Sequence, residues 1–375
     1  MLKVAVIGAG FSGLIFSKYL LKSNIEVDLY EEHDKVGIPE HCTGIVSATT
    51  TNLIGQISRK SIVKEFKGVK LLGIKKGIPL ITSKPIIKLD RVRLEADLLN
   101  DLRDKGGRVF LNKRVKGLSA LSNYDVIILA DGINGYLHKS VGIGFHGRRI
   151  YGVNQEFCME NNEEYFEVKF DPVTSNNFFS WFVPLGEKII IGTGAEKMRK
   201  LKDAQRNARE YFGIKSKECK TYGGIIISGV DDVKLRTGKI IGVGDAIGLT
   251  KPLTGGGLYP NSLSAYLMHK LILKGHNIIE SLEAALVFTF GLLHKSKSIS
   301  LLMQRRPEVI DEIIEIAEKH NIIKQINGRI DYDLHFDLIQ KAFESDASTA
   351  FVRDFLKKYP LDFFRLAFAV IKDLK

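Results

Sequence analysis

The chain has 375 residues, 45% hydrophobic and 26% charged, enough to bury a large core and too apolar for a disordered tail. Its 55 basic and 43 acidic side chains leave a net charge of +12, which suits nucleic acid, an anionic membrane face or a phosphorylated substrate and by itself selects none. Three cysteines, Cys42, Cys158 and Cys219, show neither a disulfide framework nor metal-knuckle spacing, so reduced intracellular thiols and no metal are expected.

The apolar run from Val4 to Ile7 leads into glycines instead of a secretory signal. The longest strongly apolar stretch, Ala284 to Leu293, is about half the ~20 residues a membrane-crossing helix needs. A cytoplasmic protein is expected, one that is soluble or sits on a membrane face without spanning it.

Along the chain, Lys3 to Ile7 reads as a buried strand, Ser12 to Lys22 as a helix and Val27 to Tyr30 as a second strand, an opening β-α-β unit that predicts a parallel sheet. A basic, less patterned stretch from Arg59 to Lys88 follows, then a helix from Arg91 to Lys105 stopped by Gly106 and Gly107. Tyr124 to Ala130 has the continuous apolar run of a strand covered on both faces. From Ile150 to about Lys197 short alternating strands predict an inserted antiparallel sheet. A parallel-type strand, Lys239 to Val243, leads to a glycine-rich loop and a helix from Asn261 to Leu273. From Ile278 the spacing is helical; Pro307 suits a first helical turn, with Val309, Ile310, Ile313 and Ile314 on one face.

Gly8-Ala9-Gly10-Phe11-Ser12-Gly13 fits G-x-G-x-x-G and lies between a predicted strand and helix. Gly8 permits the tight turn, Gly10 lets backbone approach a pyrophosphate, and Gly13 lets helix pack on strand, with the helix N-terminus meeting negative charge. Glu31, at the end of the second strand, is placed to accept hydrogen bonds from a ribose diol and to repel a 2′-phosphate. A second match, Gly142 to Gly147, precedes a strand, has no helix N-terminus to offer, and reads as a connecting loop. Farther on, Gly244-Asp245-Ala246 follows a strand, and Gly255-Gly256-Gly257 heads a helix. Asp245 can bond a cofactor hydroxyl while the glycines expose N–H groups to a ring edge where reduction builds negative charge. A return visit of this kind suits an isoalloxazine with its ribityl chain better than a nicotinamide.

These stretches, with Ala130-Asp131-Gly132 between them, resemble the FAD-dependent enzymes of the para-hydroxybenzoate hydroxylase superfamily over most of residues 1–275. Within that group, Pro39-Glu40-His41-Cys42-Thr43-Gly44-Ile45-Val46-Ser47 is similar to the P-x-x-C-x-G-x-x-S segment of geranylgeranyl reductases. Phe179-Ser180-Trp181-Phe182-Val183-Pro184 resembles their Y-x-W-x-F-P motif, with Phe179 for the tyrosine and Val183 for the phenylalanine. The resemblance implies an α/β fold. A Rossmann-type FAD-binding domain would cover 1–60, 85–148 and 238–276, an inserted antiparallel β-sheet substrate domain 61–84 and 149–237, and a C-terminal helical region 277–375. It also implies saturation of isolated double bonds of C20 prenyl chains, on archaeal-type lipid precursors or a prenyl diphosphate. By the same resemblance Ser12, Glu31, Cys42, Thr43, Arg91, Val115, Asp245, Gly257 and Leu258 contact the flavin, joining Gly8, Gly10, Gly13, Gly255 and Gly256 from the glycine turns.

An unactivated alkene has no carbonyl to polarise, so hydride delivery must be coupled to protonation of the neighbouring carbon in a dry pocket. Burying a twenty-carbon chain gains on the order of 15 kcal/mol gross at ~0.8 kcal/mol per methylene, which favours an apolar tunnel. Phe157, Phe166, Phe178, Phe179, Trp181 and Phe182 are candidates for its wall, or for ordinary core. Cys42 and Tyr259 are candidate proton donors with packing as the alternative, while His33 and His41 read as loop residues. The superfamily's D-G-x-x-S-x-x-R continuation appears as Asp131 to His138 without its serine and arginine, so a ferredoxin-like protein stands beside NAD(P)H as electron donor. In the last segment Leu361, Phe364, Phe368 and Ile371 recur at helical spacing. They suit a core-covering helix first, and an anionic bilayer second. A flavin monooxygenase of the same fold is the rival reading. A silent prenyl-lipid carrier is a further one, and a nucleic-acid-binding flavoprotein lacks the basic stretch interleaved with aromatics that it would need.

Overall fold

A computed structural model describes residues 2–374. The apolar run Lys3–Ile7 becomes the centre of a six-stranded sheet, flanked in parallel by Glu26–Tyr30 and Val126–Leu129, with Arg108–Phe110 and Ile240–Gly242 parallel outside them. Arg236–Thr237 closes one edge antiparallel. Helices Phe11–Leu21, Arg91–Asp104 and Leu258–Leu273 cover this sheet, burying Leu14, Ile15, Leu98 and Met268 against the strands.

The second sheet has eight strands, ordered Lys220–Lys234, Gly144–Phe157, Ile189–Ala195, Ser180–Pro184, Tyr165–Lys169, Ile62–Leu72, Gly77–Leu89 and Ile45–Ser47. It is larger than the sequence pattern shows. The stretch from Arg59 to Lys88, weakly patterned in sequence, is a long hairpin that joins it. Its lysines turn to the neighbouring acidic stretch, Lys64 donating to the Glu163 carbonyl and Lys67 and Lys70 pairing with the Glu164 and Glu167 carboxylates, which masks the usual alternation. The sheet is also not wholly antiparallel, since Ile62–Leu72 runs parallel to Tyr165–Lys169. The second glycine match has no helix behind it; Gly144 to Gly147 form the start of the strand Gly144–Phe157 rather than a loop.

Two expectations are corrected. Cys158 and Cys219 are joined in a disulfide, because antiparallel pairing of Lys220 with Glu156 carries the residues just beyond to a Cα separation of 6.3 Å. Cys42 is the free thiol. The final helix, Pro360–Leu374, does not cover core with its apolar stripe: Leu361, Phe364, Phe368 and Ile371 are 71, 62, 70 and 53% exposed. The helix Glu308–Lys319 does pack, burying Val309, Ile310 and Ile314 as expected, with Ile316 in place of the half-buried Ile313. Between these helices Gly328 and Ile330 bond to Ile81 and Ser83 at the edge of the large sheet, so the chain from Asn327 to His335 runs back toward the centre of the molecule. No helix among the described residues is long and apolar enough to cross a membrane.

Candidate active site

The first glycine turn meets three different constraints. Gly8 has φ +102°, and a Cβ there would lie 2.3 Å from the Ala130 carbonyl oxygen; one on Gly13 would lie 1.9 Å from the Gly8 oxygen. These two glycines are required by the protein's own packing. Gly10 is not, since a Cβ there meets nothing within 4 Å. It faces a cavity of about 620 Å³, whose lining includes Glu31, Val115, Asp131 and Gly132. The Glu31 carboxylate accepts the Ala9 N–H at 2.7 Å and the His33 N–H at 3.0 Å, so it braces the turn from the end of the second strand.

A second cavity of about 300 Å³ shares Gly10, His41, Ala130 and Gly132 with the first. Here the distant stretches meet. Gly244, at φ +67°, lies so close to Ser12 that a Cβ would sit 2.3 Å from its Oγ. Asp245, Gly255, Gly256, Gly257 and Leu258 line the same space, as do Ser12, Cys42, Thr43 and Arg91. Burial raises the Asp245 carboxyl above the usual carboxylate range, with His41 and Arg91 opposing that shift. Arg91 opens its helix behind the cap of Asp90, pairs with Glu95 and lies over the Phe11 ring at 5.4 Å. Burial works against its charge, yet Glu95 and the Cys42 thiol hold it more firmly protonated than a free guanidinium. Its Nε is buried without a hydrogen-bond partner among the described residues. Cys42 Sγ accepts the Gly44 N–H at 3.4 Å.

The facing wall comes from the large sheet. Alternation along the strand sends Trp181 and Val183 to the cavity and Phe182 to the other face, where it joins Phe157. Of the six aromatic candidates, Phe166, Phe178, Phe179 and Trp181 therefore line the cavity, and Phe157 and Phe182 are core. Trp181 pairs with Gly192, and Gly192 with Asn154, on three neighbouring strands. Only a glycine fits between them, for a Cβ at Gly192 would fall 1.9 Å from the indole. The indole N–H thus crosses the strand and donates to Asn154 Oδ1 at 2.9 Å, which also accepts the Thr43 hydroxyl at 2.8 Å.

Tyr259 is placed differently from the sequence reading: it is buried at 6% exposure and lines neither cavity. Among the lining residues that carry no motif are Asn154 and Tyr332. Asn154 is visible only through strand register. Tyr332 comes from the C-terminal region, where it sits between Asp331 and Asp333. The buried Asp333 accepts from the Ser47 N–H at 2.7 Å, the Thr50 hydroxyl and the Lys251 ammonium, fixing three separate stretches around the cavity.

Comparison with known proteins agrees with the fold. Residues 6–39 match the NAD(P)-binding Rossmann-like domain. The chain is 26% identical to an uncharacterised protein of Methanocaldococcus jannaschii, over 91% of this chain and 95% of that one. It is 24% identical to a geranylgeranyl diphosphate reductase of Synechocystis, covering 74% of this chain and 76% of the relative. It is also 24% identical to a digeranylgeranylglycerophospholipid reductase of Methanosphaera stadtmanae, covering 68% and 73%. A solved geranylgeranyl bacteriochlorophyll reductase-like protein from Thermoplasma acidophilum shares the fold at a TM-score of 0.71 and 17% identity, covering 98% of this chain and all of that one. The chain carries a dinucleotide-binding sheet, and its named relatives are oxidoreductases. Within that class the chain is a relative of the geranylgeranyl reductases.

Proposed function

We propose that this chain is an FAD-dependent reductase that hydrogenates isolated double bonds of geranylgeranyl chains, carried on an archaeal-type membrane-lipid precursor or as a prenyl diphosphate. The observation that carries this reading is one cavity with unlike walls. Glycine backbone, Ser12, Asp245 and Arg91 form one side; on the other, the large sheet presents aromatic and aliphatic groups with Asn154 as its one polar side chain besides the indole. An apolar wall of this kind suits a hydrocarbon chain rather than a polar aromatic substrate.

The residues fit the cofactor. Gly10 leaves open space where backbone would approach a pyrophosphate, and the orphaned Arg91 Nε and the raised carboxyl of Asp245 are polar groups awaiting partners. Gly8 to Gly13 and the start of the helix Phe11–Leu21 would hold the phosphates, and Glu31 and Val115 would flank the adenosine ribose. Cys42, Thr43, Asp245, Gly255 to Gly257 and Leu258 would surround the ring. When bound, the flavin supplies the hydride. Phe178, Phe179 and Trp181 orient the chain and exclude water from it.

Asp131 accepts the Leu137 and His138 N–H groups and pairs with the His138 ring at 2.9 Å, a closed turn with no arginine for a nicotinamide phosphate. That favours an acidic protein donor, ferredoxin-like, over NAD(P)H, and the net charge of +12 complements it. The exposed stripe of the helix Pro360–Leu374, beside Lys357, Lys358 and Lys372, suits an anionic lipid surface that would deliver the substrate.

The decisive test is anaerobic incubation of the chemically reduced, flavin-loaded enzyme with geranylgeranyl lipids of several head groups, followed by mass spectrometry. A gain of two hydrogens per double bond is expected. Unchanged lipid throughout would remove the proposal, and oxygen uptake matched by hydroxylated product would replace it with a monooxygenase.

A further inference from the structure

Saturating an isolated alkene needs an acid at the cavity, and most polar groups there are committed elsewhere. The Thr43 hydroxyl donates to Asn154, and Asn154 offers only a neutral amide. Cys42 Sγ turns back to its own loop, accepting from Gly44, with the Arg91 guanidinium beside it. Tyr259 does not reach the space, and Phe179, where the related motif has tyrosine, brings no hydroxyl. Asp245 stands among the glycines on the cofactor side.

Tyr332 is different. Its half-buried ring lines the cavity, and no hydrogen bond to another described residue occupies its hydroxyl. The ring is held from three directions, edge-on to Phe166 at 5.6 Å, edge-on to His335 at 6.5 Å, and beneath the Lys251 ammonium at 4.7 Å from its centre. The backbone on either side is clamped, Asp331 to the Thr49 hydroxyl at 2.5 Å and Asp333 to Ser47, Thr50 and Lys251. A residue from the C-terminal region is thereby fixed beside the end of the P-x-x-C-x-G-x-x-S segment.

We propose that Tyr332 is the catalytic acid that protonates the alkene, an inference that rests on the reductase reading above. The step balances. The π bond breaks as one carbon takes a hydride, with its electron pair, from the two-electron flavin reductant, and its neighbour takes the Tyr332 proton. The phenolate left behind regains a proton from solvent as product leaves. Burial, with Asp333 and Cys42 nearby, holds this phenol above the usual tyrosine range, so it is protonated at neutral pH but is a weaker acid than a free phenol and needs help to release its proton. The Lys251 ammonium over the ring face offsets the negative charge that develops in transfer.

Trp181 is the single tryptophan and lines the same cavity, so its fluorescence reports chain binding independently of turnover. Tyr332→Phe, loaded with FAD, is expected to bind geranylgeraniol within about twofold of wild type by Trp181 quenching, while anaerobic single-turnover reduction slows at least ~100-fold, the lower end of what a positioned proton donor contributes, since water can bypass part of the loss. Fluorotyrosine at 332, a stronger acid, should restore turnover and move its alkaline limb to lower pH. Single-turnover rates within about threefold of wild type in Tyr332→Phe would overturn the assignment, as would a proportionate loss of chain binding. A wild-type enzyme inert toward every prenyl lipid would instead overturn the reductase reading.

Discussion

Backbone forms much of one side of the cavity, and side chains form the other. Gly8 to Gly13 and Gly255 to Gly257 bring main chain to the space, while the facing sheet presents Phe166, Phe178, Phe179 and Trp181. A backbone surface is set by residues a few positions apart, because strand end, turn and helix start are contiguous in the chain. A side-chain surface across a sheet is set by register between remote strands, as where Trp181 lies over Gly192 to reach Asn154. The first kind of wall fails when a glycine gains a side chain; the second fails when a neighbour on another strand changes.

The largest expected effect separates two glycines within the backbone wall. Gly13→Val forces a side chain against the Gly8 carbonyl and should cost about 3 kcal/mol or more of stability, with no flavin retained. A Cβ at Gly10 meets no protein atom within 4 Å, so the thermal midpoint of Gly10→Val should stay within about 2 °C of wild type while FAD affinity falls at least ~100-fold, because the side chain fills the cofactor's room. Circular dichroism melts and flavin absorbance after desalting check both. A Gly10→Val protein that stays yellow would place the dinucleotide elsewhere.

The same contrast explains what could be read from the chain. The turn at Gly8 to Gly13, Glu31 at the strand end, and the pairing of the Asp245 stretch with it are legible because each needs particular residues at short spacing. The hairpin from Ile62 to Leu89 is not legible from its periodicity, though the family resemblance places 61–84 with the sheet, since its lysines find carboxylates about a hundred residues on. Asn154 and Tyr332 carry no local signal: one is defined by strand register, the other by a buried aspartate that ties the C-terminal region to Ser47 and Lys251. Tyr259 is buried away from both cavities, the packing alternative of its sequence reading, because proximity to Gly257 in sequence does not say which way the first helical turn faces.

Asp333 tests the side that sequence could not show. Asp333→Asn removes the charge partner of a Lys251 that is 3% exposed, and leaving such an ion unpaired should cost about 3–5 kcal/mol. Urea midpoints measure this. A loss under about 1 kcal/mol would mean the clamp is not holding the two walls together. Trp181→Phe should be milder, about 1 kcal/mol from the lost N–H bond to Asn154, and should lower prenyl-chain affinity more than FAD affinity.

His335 and Glu312 give a pH signature of the C-terminal region. Burial and Lys251 push His335 down to about 3, so between its unfolded value near 6.5 and that point the unfolded chain binds a proton the native chain refuses. Its contribution is complete above pH ~6.5 and is lost as pH falls, by up to ~1.4 kcal/mol per unit. Glu312, raised to about 7 by burial and Asp362, slopes the other way, its contribution complete below its unfolded value of 4.5 and lost as pH rises toward 7. His335→Gln and Glu312→Gln should therefore bend the curve of thermal midpoint against pH in opposite senses between 4.5 and 6.5. Curves that move together would show that these half-buried groups are not desolvated as their surroundings imply.

The smallest effect on the isolated protein falls on the final helix. Leu361, Phe364, Phe368 and Ile371 are mostly in solvent, so Phe364→Ser with Phe368→Ser deletes little packing and should change stability by no more than about 0.5 kcal/mol. Turnover of a soluble prenyl alcohol should also stand, since neither residue lines the cavity. If the stripe meets lipid, removing two aromatic rings takes away most of its apolar area, and flotation with anionic vesicles should fall several-fold while Lys372→Ala makes only a salt-sensitive difference. A double variant that unfolds would instead mean the stripe packs against protein, as its sequence alone first suggests, and the lipid face would have to be sought on another surface.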